Sequence, residues 1–450
     1  MRIHLIATGG SAMHNMAIAL HKKGYQVTGS DDEIFEPSKS RLEKHGLLPN
    51  KMGWDENRIT NKLDAVILGM HARKNNPELI KAQDLGIKIY SYPEYIFEQT
   101  KHKKRVVIGG SHGKTTITAM TLHVLQNAGE DVDYMVGAQL DGFDTMVKLT
   151  HEAKIVILEG DEYLSSPIDL RPKFHLYQPH IAVISGIAWD HINVFPTFEN
   201  YIEQFNIFAN KIEENGTLIY YEGDKNVAAI GKSFSFNQIP YKVHKNDCRN
   251  GISYLIDEEN EYPLNIFGDH NLQNLNASLK ICEALSISKE VFYKHIQTFT
   301  GAQKRLELVD KNDSTSIFKD FAHSPSKLKA TSSAVKQQFK KRRLVACMEL
   351  HTFSSLNEEF LKEYANTMDL PDEAFVYFNP DTIAHKKLTP ITKNQVFKCF
   401  KRSDLRVFTS TEDLMYELKQ KKWKNTNLLL MSSGNFDGVD FNELANELLQ

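Results

Sequence analysis

The chain has 450 residues, of which 41% are hydrophobic and 25% charged, and its formal net charge is -3. A guide of roughly 150 residues per domain predicts three domains, and the near-neutral charge argues against nucleic acid or a membrane surface as the main partner. The four cysteines are scattered without a C-x-x-C pair, as in proteins of a reducing cytosol. No apolar run approaches the roughly 18 residues of a membrane span, so we expect a cytoplasmic protein.

Residues 1–100 predict strands that alternate with helices. The strands are expected at 3–7, 26–28, 65–68 and 87–90, and the helices after Ser11, Pro37, Pro77 and Pro93. This alternation is typical of βαβ units on a parallel sheet.

The first turn contains Gly9, Gly10 and Ser11 but does not fit G-x-G-x-x-G. Asp31 follows the second strand, where an acid would bind ribose in a dinucleotide fold. The start of the first helix favours a phosphate-bearing ligand, and a purely structural turn is the alternative. Gly9, Gly10 and Asp31 also keep a dinucleotide oxidoreductase open as a competing hypothesis.

A second strand, turn and helix run from Arg105 to Ala128. The turn consists of Gly110, Ser111, His112, Gly113, Lys114, Thr115 and Thr116. It departs from G-x-x-x-x-G-K-[ST] because Ile108 stands where that pattern has a glycine. Glycines let backbone amides approach an anion, and Lys114 adds a full positive charge. The turn predicts a phosphate site, with an ordinary tight turn as the alternative.

Polar residues follow the next two predicted strands. Residues 155–158 lead into Glu159, and residues 181–187 lead into Asp190 and His191. Since ligands bind at the carboxyl ends of parallel strands, Glu159 and His191 are candidates to join Thr115 around a metal held by ATP phosphates. A structural histidine is the alternative for His191.

The rest of the chain continues the α/β pattern. Strands are expected at 217–221, 241–244, 252–256, 316–318, 344–348, 374–378, 407–409 and 428–431. Asn271 and Asn274 open a helix, where they are suited either to an adenine edge or to capping. The pattern predicts an α/β protein of three domains, bounded near Lys101 and Gly301: 1–100 and 301–450 Rossmann-like, the latter doubly wound, and 101–300 a P-loop domain with a mixed sheet.

Taken in order, several motifs resemble those of the ATP-dependent Mur ligases of peptidoglycan synthesis. They are Gly110 to Thr116, Glu159-Gly-Asp161-Glu162, Asp190-His191, Gly268-Asp-His270-Asn271-x-x-Asn274, Arg305 and Asp320-Phe-Ala-His323-Ser-Pro325. In that family ATP phosphorylates the carboxylate of a UDP-linked muramic acid, and an amine attacks the acyl phosphate to form an amide. The resemblance implies ATP, Mg²⁺, UDP-N-acetylmuramate and an amino acid or peptide as ligands. It leaves the oligomeric state open.

The resemblance also implies roles for individual residues. Lys114 and the amides of residues 110–116 would bind the β and γ phosphates, and Thr115, Glu159 and His191 would bind Mg²⁺. The remaining implied roles are Asn271 and Asn274 for adenine, Asp320 for ribose, Arg305 for the γ-phosphate, His323 for the reacting groups, and Gly9, Gly10, Ser11 and Asp31 for the UDP part of the substrate. Lys114, His191, Arg305 and His323 form the implied catalytic set. A family fold that binds ligands without catalysis is a further alternative.

Three segments bear on the incoming amine. Asn206 stands where sister enzymes carry a carbamylated lysine, which suggests a member that acts directly on UDP-N-acetylmuramate. Residues 173–177 and 431–438 look more like the ligase that recycles L-alanyl-γ-D-glutamyl-diaminopimelate tripeptide. Residues 349–355 lack the arginines that L-alanine enzymes use for the free carboxylate. We therefore expect the tripeptide as the amine substrate, with L-alanine as the alternative.

Overall fold

The computed structural model describes residues 1–140, 142–191, 194–233, 237–249, 251–301 and 306–450. It divides into two compact units, one formed by Met1–Lys242 and Asn276–His295 and the other by Val243–Leu275 and Ile296–Gln450. Within the described residues, no helix is long and apolar enough to cross a membrane.

The first unit begins with a parallel sheet. Its elements are β1 (Arg2–Ile6), α1 (Ser11–Lys22), β2 (Gln26–Ser30), α2 (Ser38–Lys44), β3 (Ala65–Leu68), α3 (Pro77–Asp84), β4 (Ile89–Ser91) and α4 (Tyr92–Thr100). The strand order is β2-β1-β3-β4. The N-terminal helices begin near the predicted prolines because proline fits the first helical turn. In α4, Ser91 and Glu94 add a capping box.

A mixed sheet follows in the same unit. Its elements are β5 (Lys104–Gly109), α5 (Lys114–Asn127), β6 (Val132–Met135), β7 (Val147–Lys148), β8 (Ile155–Glu159), β9 (Ile181–Ile184), α6 (Phe198–Ala209), β10 (Thr217–Tyr221), α7 (Lys225–Ser233) and β11 (Asn237–Tyr241). The order is β11-β10-β9-β5-β8-β6-β7, and β7 runs antiparallel to β6. Because β5 lies between β8 and β9, the segments that follow these three strands meet at one sheet edge.

Two predicted strands in this sheet have different bounds. The strand expected at 181–187 ends at Ile184, because the hydroxyl of Ser185 donates to the carbonyl of His112 and turns the chain toward the glycine loop. The strand expected at 241–244 lies earlier, at Asn237–Tyr241, and contains Pro240. Proline is tolerated there because β11 is an edge strand.

The second unit contains an antiparallel sheet and a larger, mainly parallel one. The small sheet consists of β12 (Asn246–Arg249), β13 (Ile252–Asp257) and β14 (Asn260–Leu264). Helix α8 (Asp269–Ala284) begins in this unit and ends in the first, to which α9 (Lys289–Ile296) also belongs up to His295. The strands of the large sheet are β15 (Glu307–Lys311), β16 (Ser316–Asp320), β17 (Arg343–Glu349), β18 (Glu373–Tyr377), β19 (Arg406–Phe408) and β20 (Thr426–Met431). Their order is β15-β16-β20-β17-β18-β19, with β15 antiparallel to β16.

The helices of this last region alternate with the parallel strands. They are α10 (Pro325–Gln338), α11 (Glu358–Leu361), α12 (Pro380–His385), α13 (Lys393–Phe400), α14 (Thr411–Lys419) and α15 (Phe441–Leu448). The predicted α/β class is therefore confirmed, whereas the short strands β6, β7, β12, β14 and β15 were not predicted. The boundaries near Lys101 and Gly301 stay a prediction.

Within the first unit, helix α1 packs against the mixed sheet that contains β5 and β8, and a hydrogen bond links it to the segment before β7. One apolar core includes Met16 of α1 together with Val107 of β5 and Leu158 of β8. The amide of Met146 donates to the side chain of Asn15 at 2.9 Å. This attachment fixes the first glycine turn relative to the glycine loop that follows β5.

Candidate functional site

The loop between β5 and α5 needs glycine at two positions. Gly110 has φ 137° and Gly113 has φ 82°, both in the range that disfavours residues with a Cβ atom. A Cβ atom on Gly110 would lie 2.1 Å from Oγ of Ser185. Helix α5 starts directly afterwards, so its first amides lie at the end of this loop, as in a phosphate-binding turn.

Lys114, the first residue of α5, is partly buried and ion-paired. Its Nζ lies 2.6 Å from the carbonyl oxygen of Gly110 and 2.6 Å from Oε2 of Glu162. Burial alone would lower the pKa of Lys114, but the nearby carboxylates of Glu162 and Asp161 raise it above its ordinary value. The loop therefore carries a fixed ammonium group at neutral pH.

Glu162 links this lysine to a second helix. The hydroxyl of Tyr201, in α6, donates to Oε1 of Glu162 at 2.9 Å and lies 3.0 Å from the hydroxyl of Ser111. Ser111 also accepts the amide hydrogen of Ala188 at 2.9 Å. Since Tyr201 uses its proton on Glu162, Ser111 donates to Tyr201. The network holds the glycine loop, β8, α6 and the segment after β9 together.

His191 lies beside this network, with Nε2 3.8 Å from Oε1 of Glu162. Its backbone has φ 53°, a conformation that is uncommon for residues other than glycine. Such local strain is concentrated at functional sites. His191 therefore belongs to the same sheet edge as the loop, as the sequence predicts, while its proposed bond to a metal stays a prediction.

Thr115 and Glu159 contact each other at the carboxyl ends of β5 and β8. The Thr115 hydroxyl donates to Oε1 of Glu159 at 2.9 Å, and the amide of Gly137 donates to Oε2 at 2.8 Å. Hydroxyl and carboxylate oxygens fit Mg²⁺, which usually takes one or two protein ligands and completes its shell with water and phosphate oxygens. In the described part of the chain, His, Cys, Asp and Glu form no group of three or more that could hold a metal ion.

A cavity of about 380 Å³ lies next to this loop, within the first unit. Residues from the N-terminal sheet and from the central sheet line it together, including Ser11, His71, Tyr92, Lys114, Glu159 and Lys173. The two glycine-containing turns thus contribute to one space. A substrate anchored at the first turn would extend toward the second.

The first turn is held by an internal carboxylate. The amide of Gly9 donates to Oδ2 of Asp31 at 2.7 Å. Burial raises the pKa of Asp31 to about 6. Gly9 and Gly10 form the turn before α1 as predicted, Ser11 begins that helix, and Asp31 supports the turn. The contact of these residues with a UDP group stays a prediction.

The predicted adenine and ribose residues lie in the second unit. The Asn271 side-chain amide donates to the carbonyl of Phe267 at 3.0 Å, and Asn274 is buried in α8. Asp320 accepts the amide hydrogen of Leu306 at 2.5 Å and the hydroxyl hydrogen of Thr331 at 3.3 Å.

The two remaining predicted residues are His323 and Arg305. The Nδ1 atom of His323 lies 2.8 Å from the carbonyl oxygen of Phe321. Arg305 lies outside the described residues. The proposed roles of both residues therefore stay predictions.

Comparison with known proteins identifies the family. A model described as "Mur ligase family, catalytic domain" matches residues 2–104, and one described as "Mur ligase middle domain" matches residues 108–282. The UDP-N-acetylmuramate–L-alanine ligase of Sulfurihydrogenibium sp. (strain YO3AOP1) is 32% identical over 384 residues, which cover 83% of this chain and 82% of that protein. The chain belongs to the Mur ligase family.

Other similar proteins match a larger share of the length of this chain. The UDP-N-acetylmuramate–L-alanine ligase of Caldanaerobacter subterraneus is 28% identical over 96% of this chain and 95% of its own. A murein peptide ligase from Psychrobacter arcticus has a TM-score of 0.66 at 21% identity, covering 100% of this chain and 98% of that one. A UDP-N-acetylmuramate–alanine ligase from Thermotoga maritima has a TM-score of 0.69 at 19% identity, with the same coverage. These two structures share the fold of this chain.

Mur ligases are ATP-dependent enzymes that form amide bonds in peptidoglycan synthesis, and this chain is an enzyme of that class. The sequence motifs indicate the family, but they predict no role for Tyr201 or Lys173, and Asp161 and Glu162 occur there only as part of an acidic motif. Tyr201 is the hardest of these to find, because a tyrosine on an amphipathic helix is usually a core residue. For the carboxylates of Asp161 and Glu162, the signal in the sequence was the acidic motif at Glu159 to Glu162.

Proposed function

We propose that the chain joins the carboxylate of UDP-N-acetylmuramate to the amino group of L-alanine at the expense of ATP. The observation that supports this most strongly is the 32% identity to an L-alanine ligase over more than four fifths of both chains. From the sequence alone, the tripeptide is the expected amine and L-alanine is the alternative. The names of the similar proteins favour that alternative.

In this proposal the loop after β5 binds the β and γ phosphates of ATP. The fixed ammonium group of Lys114 offsets the charge that phosphoryl transfer concentrates there. ATP would displace Glu162 from Lys114 at least in part, because both anions use the same ammonium. Thr115 and Glu159 would contact Mg²⁺, which when bound neutralises phosphate charge. His191 would be a third contact of Mg²⁺ on this side of the site.

The residues proposed for adenine and ribose lie in the second unit. Asn271 lines a cavity of about 520 Å³ whose wall includes the rings of Phe267 and Phe318. An amide beside aromatic rings suits a purine base, which supports the adenine role of Asn271. The same role is proposed for Asn274, which is buried in α8. Asp320 is proposed to contact the ribose, Arg305 the γ-phosphate and His323 the reacting groups.

A second candidate amine, the L-alanyl-γ-D-glutamyl-diaminopimelate tripeptide, is favoured by the segment after β17. Residues 349–355 contain no arginine, and Glu349 there is buried. Its Oε2 accepts the amide hydrogen of Phe436 at 2.8 Å and the hydroxyl hydrogen of Ser432, and its Oε1 lies 3.5 Å from Nδ1 of His351. A free amino acid depends on bidentate recognition of its carboxylate by arginine more than a tripeptide does.

One experiment tests both candidates. Phosphate release by the purified protein is measured with ATP, Mg²⁺ and UDP-N-acetylmuramate, with L-alanine and with the tripeptide in parallel. We expect release that requires both UDP-N-acetylmuramate and an amine, and a higher kcat/KM for L-alanine. A higher kcat/KM for the tripeptide would replace the first candidate by the second, and no release with either amine would overturn both.

A further inference from the structure

The cavity next to the glycine loop contains an ammonium group to which the roles above assign no function. Lys173 lines this cavity together with Lys114, and its side chain is 13% exposed. It is the first residue of a short 3₁₀ turn, Lys173–Leu176. Its backbone amide donates to the carbonyl of Tyr163 at 3.0 Å. The backbone thus fixes where this lysine enters the cavity.

Three side chains surround the ammonium group of Lys173. It forms an ion pair with Asp161 and lies 5.7 Å from the ring centroids of both Tyr92 and Tyr163. Cations are attracted to aromatic faces at such distances. Burial alone would lower the pKa of Lys173, but the Asp161 carboxylate raises it above its ordinary value. Lys173 is therefore a positioned cation at neutral pH.

The two lysines belong to different segments and have different partners. Lys114 starts α5 and pairs with Glu162, whereas Lys173 pairs with Asp161. The proposed reaction brings together two anions, a substrate carboxylate and the γ-phosphate of ATP, which repel each other. One lysine for each anion offsets this repulsion in a partly buried site. Since Lys114 belongs to the phosphate loop, Lys173 is the lysine suited to the carboxylate.

We propose that Lys173 binds the carboxylate of the UDP-linked substrate and holds it for phosphorylation, an inference that rests on the proposed function. A carboxylate oxygen forms a bond to the γ-phosphorus while the bond from that phosphorus to the bridging oxygen breaks. ADP leaves with the electron pair, and Lys173 keeps its proton. The amine nitrogen then attacks the acyl carbon, phosphate leaves with the electron pair of the broken carbon–oxygen bond, and the amine's proton passes to solvent.

The alternative is that Lys173 only stabilises the fold through its ion pair. Lys173→Gln separates the two explanations, because glutamine keeps a hydrogen-bond donor for Asp161 but removes the charge. Lys173→Arg restores the charge. Lys148→Gln is a matched control, since Lys148 forms an exposed ion pair with Asp131 and does not line the cavity. Thermal melts by circular dichroism verify that each variant is folded.

The test measures UDP-N-acetylmuramate binding by calorimetry and the KM for ATP by phosphate release. We expect Lys173→Gln to weaken UDP-N-acetylmuramate binding by about tenfold or more. We expect its KM for ATP to stay within about twofold, Lys173→Arg to recover part of the binding, and Lys148→Gln to behave as wild type. Unchanged binding of UDP-N-acetylmuramate, an equal loss for both ligands, or no recovery with arginine would overturn the role of Lys173.

Asp161→Asn provides a second variant that leaves the lysine charged. If Lys173 binds the substrate carboxylate, Asp161→Asn keeps or strengthens UDP-N-acetylmuramate binding. If the ion pair is only structural, Asp161→Asn weakens binding as much as Lys173→Gln does. A wild type that binds UDP-N-acetylmuramate but releases no phosphate with either amine would overturn the proposed function, and the calorimetry would still decide the role of Lys173. A wild type that does not bind it would overturn both.

Discussion

Each of the two glycine-containing turns of the first unit joins a parallel strand to the helix that follows it. The two turns differ in the charged groups that surround them. The first joins β1 to α1, and the second joins β5 to α5. In the first, the carboxylate of Asp31 accepts the amide hydrogen of Gly9. In the second, the carboxylate of Glu162 pairs with the ammonium of Lys114. An internal carboxylate thus binds a backbone amide at the first turn and the ammonium group of a lysine side chain at the second.

This difference appears in the pKa values. Burial raises the pKa of Asp31 to about 6, since backbone amides compensate only part of the lost hydration. At the second turn, Glu162 and Asp161 raise the pKa of Lys114 despite its burial. The first turn therefore carries an anion that is costly to keep charged, whereas the second carries a stable cation. Glycines alone do not distinguish these outcomes; the neighbouring side chains do.

The largest effect is expected when Lys114 is removed. Lys114→Met deletes the phosphate-loop cation and leaves the carboxylate of Glu162 buried without it. Turnover should fall about a thousandfold or more, and the free energy of unfolding should fall by about 3–5 kcal/mol. Phosphate release and urea unfolding measure the two effects.

The double variant Lys114→Met/Glu162→Gln separates these effects. Because glutamine removes the unpaired charge, we expect the double variant to regain much of the stability but none of the turnover. Recovery of turnover would show that Lys114 serves the fold and not the phosphates. A single variant as stable as wild type would show that the ion pair contributes little.

The next largest effect is expected when a glycine in the second turn is replaced by alanine. A methyl group in Gly110→Ala would lie 2.1 Å from Oγ of Ser185. We expect a loss of about 2–4 kcal/mol in unfolding free energy from overpacking and the unfavourable φ. Gly129→Ala is the control, because Gly129 also has positive φ (84°) but no atom within 4 Å of an added Cβ. A loss of about 1 kcal/mol is expected there, so equal losses would refute the steric explanation.

The contribution of the first turn to stability is tested by varying the pH. The pKa of Asp31 is about 6 in the folded protein, above its ordinary value of 3.8, so the folded state holds the proton more tightly. Its contribution to stability is complete below pH 4 and is lost as pH rises through 6. Relative to Asp31→Asn, the wild type should lose about 2–3 kcal/mol of unfolding free energy between pH 4 and pH 7. Urea unfolding of both proteins at several pH values tests this, and a difference independent of pH would contradict it.

The sequence predicted much of the fold because its signals are local. Residues 155–158 and 428–431 are apolar runs whose short length indicates buried strands, and prolines and capping residues mark the helix starts. Strands β12 and β14 carry no such signal, since the residues of Asn246–Arg249 are all exposed and β14 contains a proline. They are defined by pairing with β13, which residue patterns do not reveal.

The candidate site was predicted where glycines, lysine and acids form a motif, and missed where contacts span distant residues. Lys114 and Glu162 are 48 residues apart, and Ser111 and Tyr201 are 90 apart. Only the β5, β8, β9 order and the packing of α6 bring them together. Spacing also says nothing about whether Lys173 faces the cavity, because that depends on the turn at Lys173–Leu176.

The smallest effect tests whether Tyr201 is part of the second turn's electrostatics or merely of its core. Tyr201→Phe keeps the buried ring but removes the hydroxyl between Glu162 and Ser111. Ser111 then loses its hydrogen bond to α6 and the glycine loop is held less firmly, so kcat/KM for ATP should fall about fivefold to tenfold. Tyr416→Phe, at an exposed tyrosine, is the control. A Tyr201→Phe variant with wild-type kinetics would mean that Lys114 and the backbone alone set the charge of this turn.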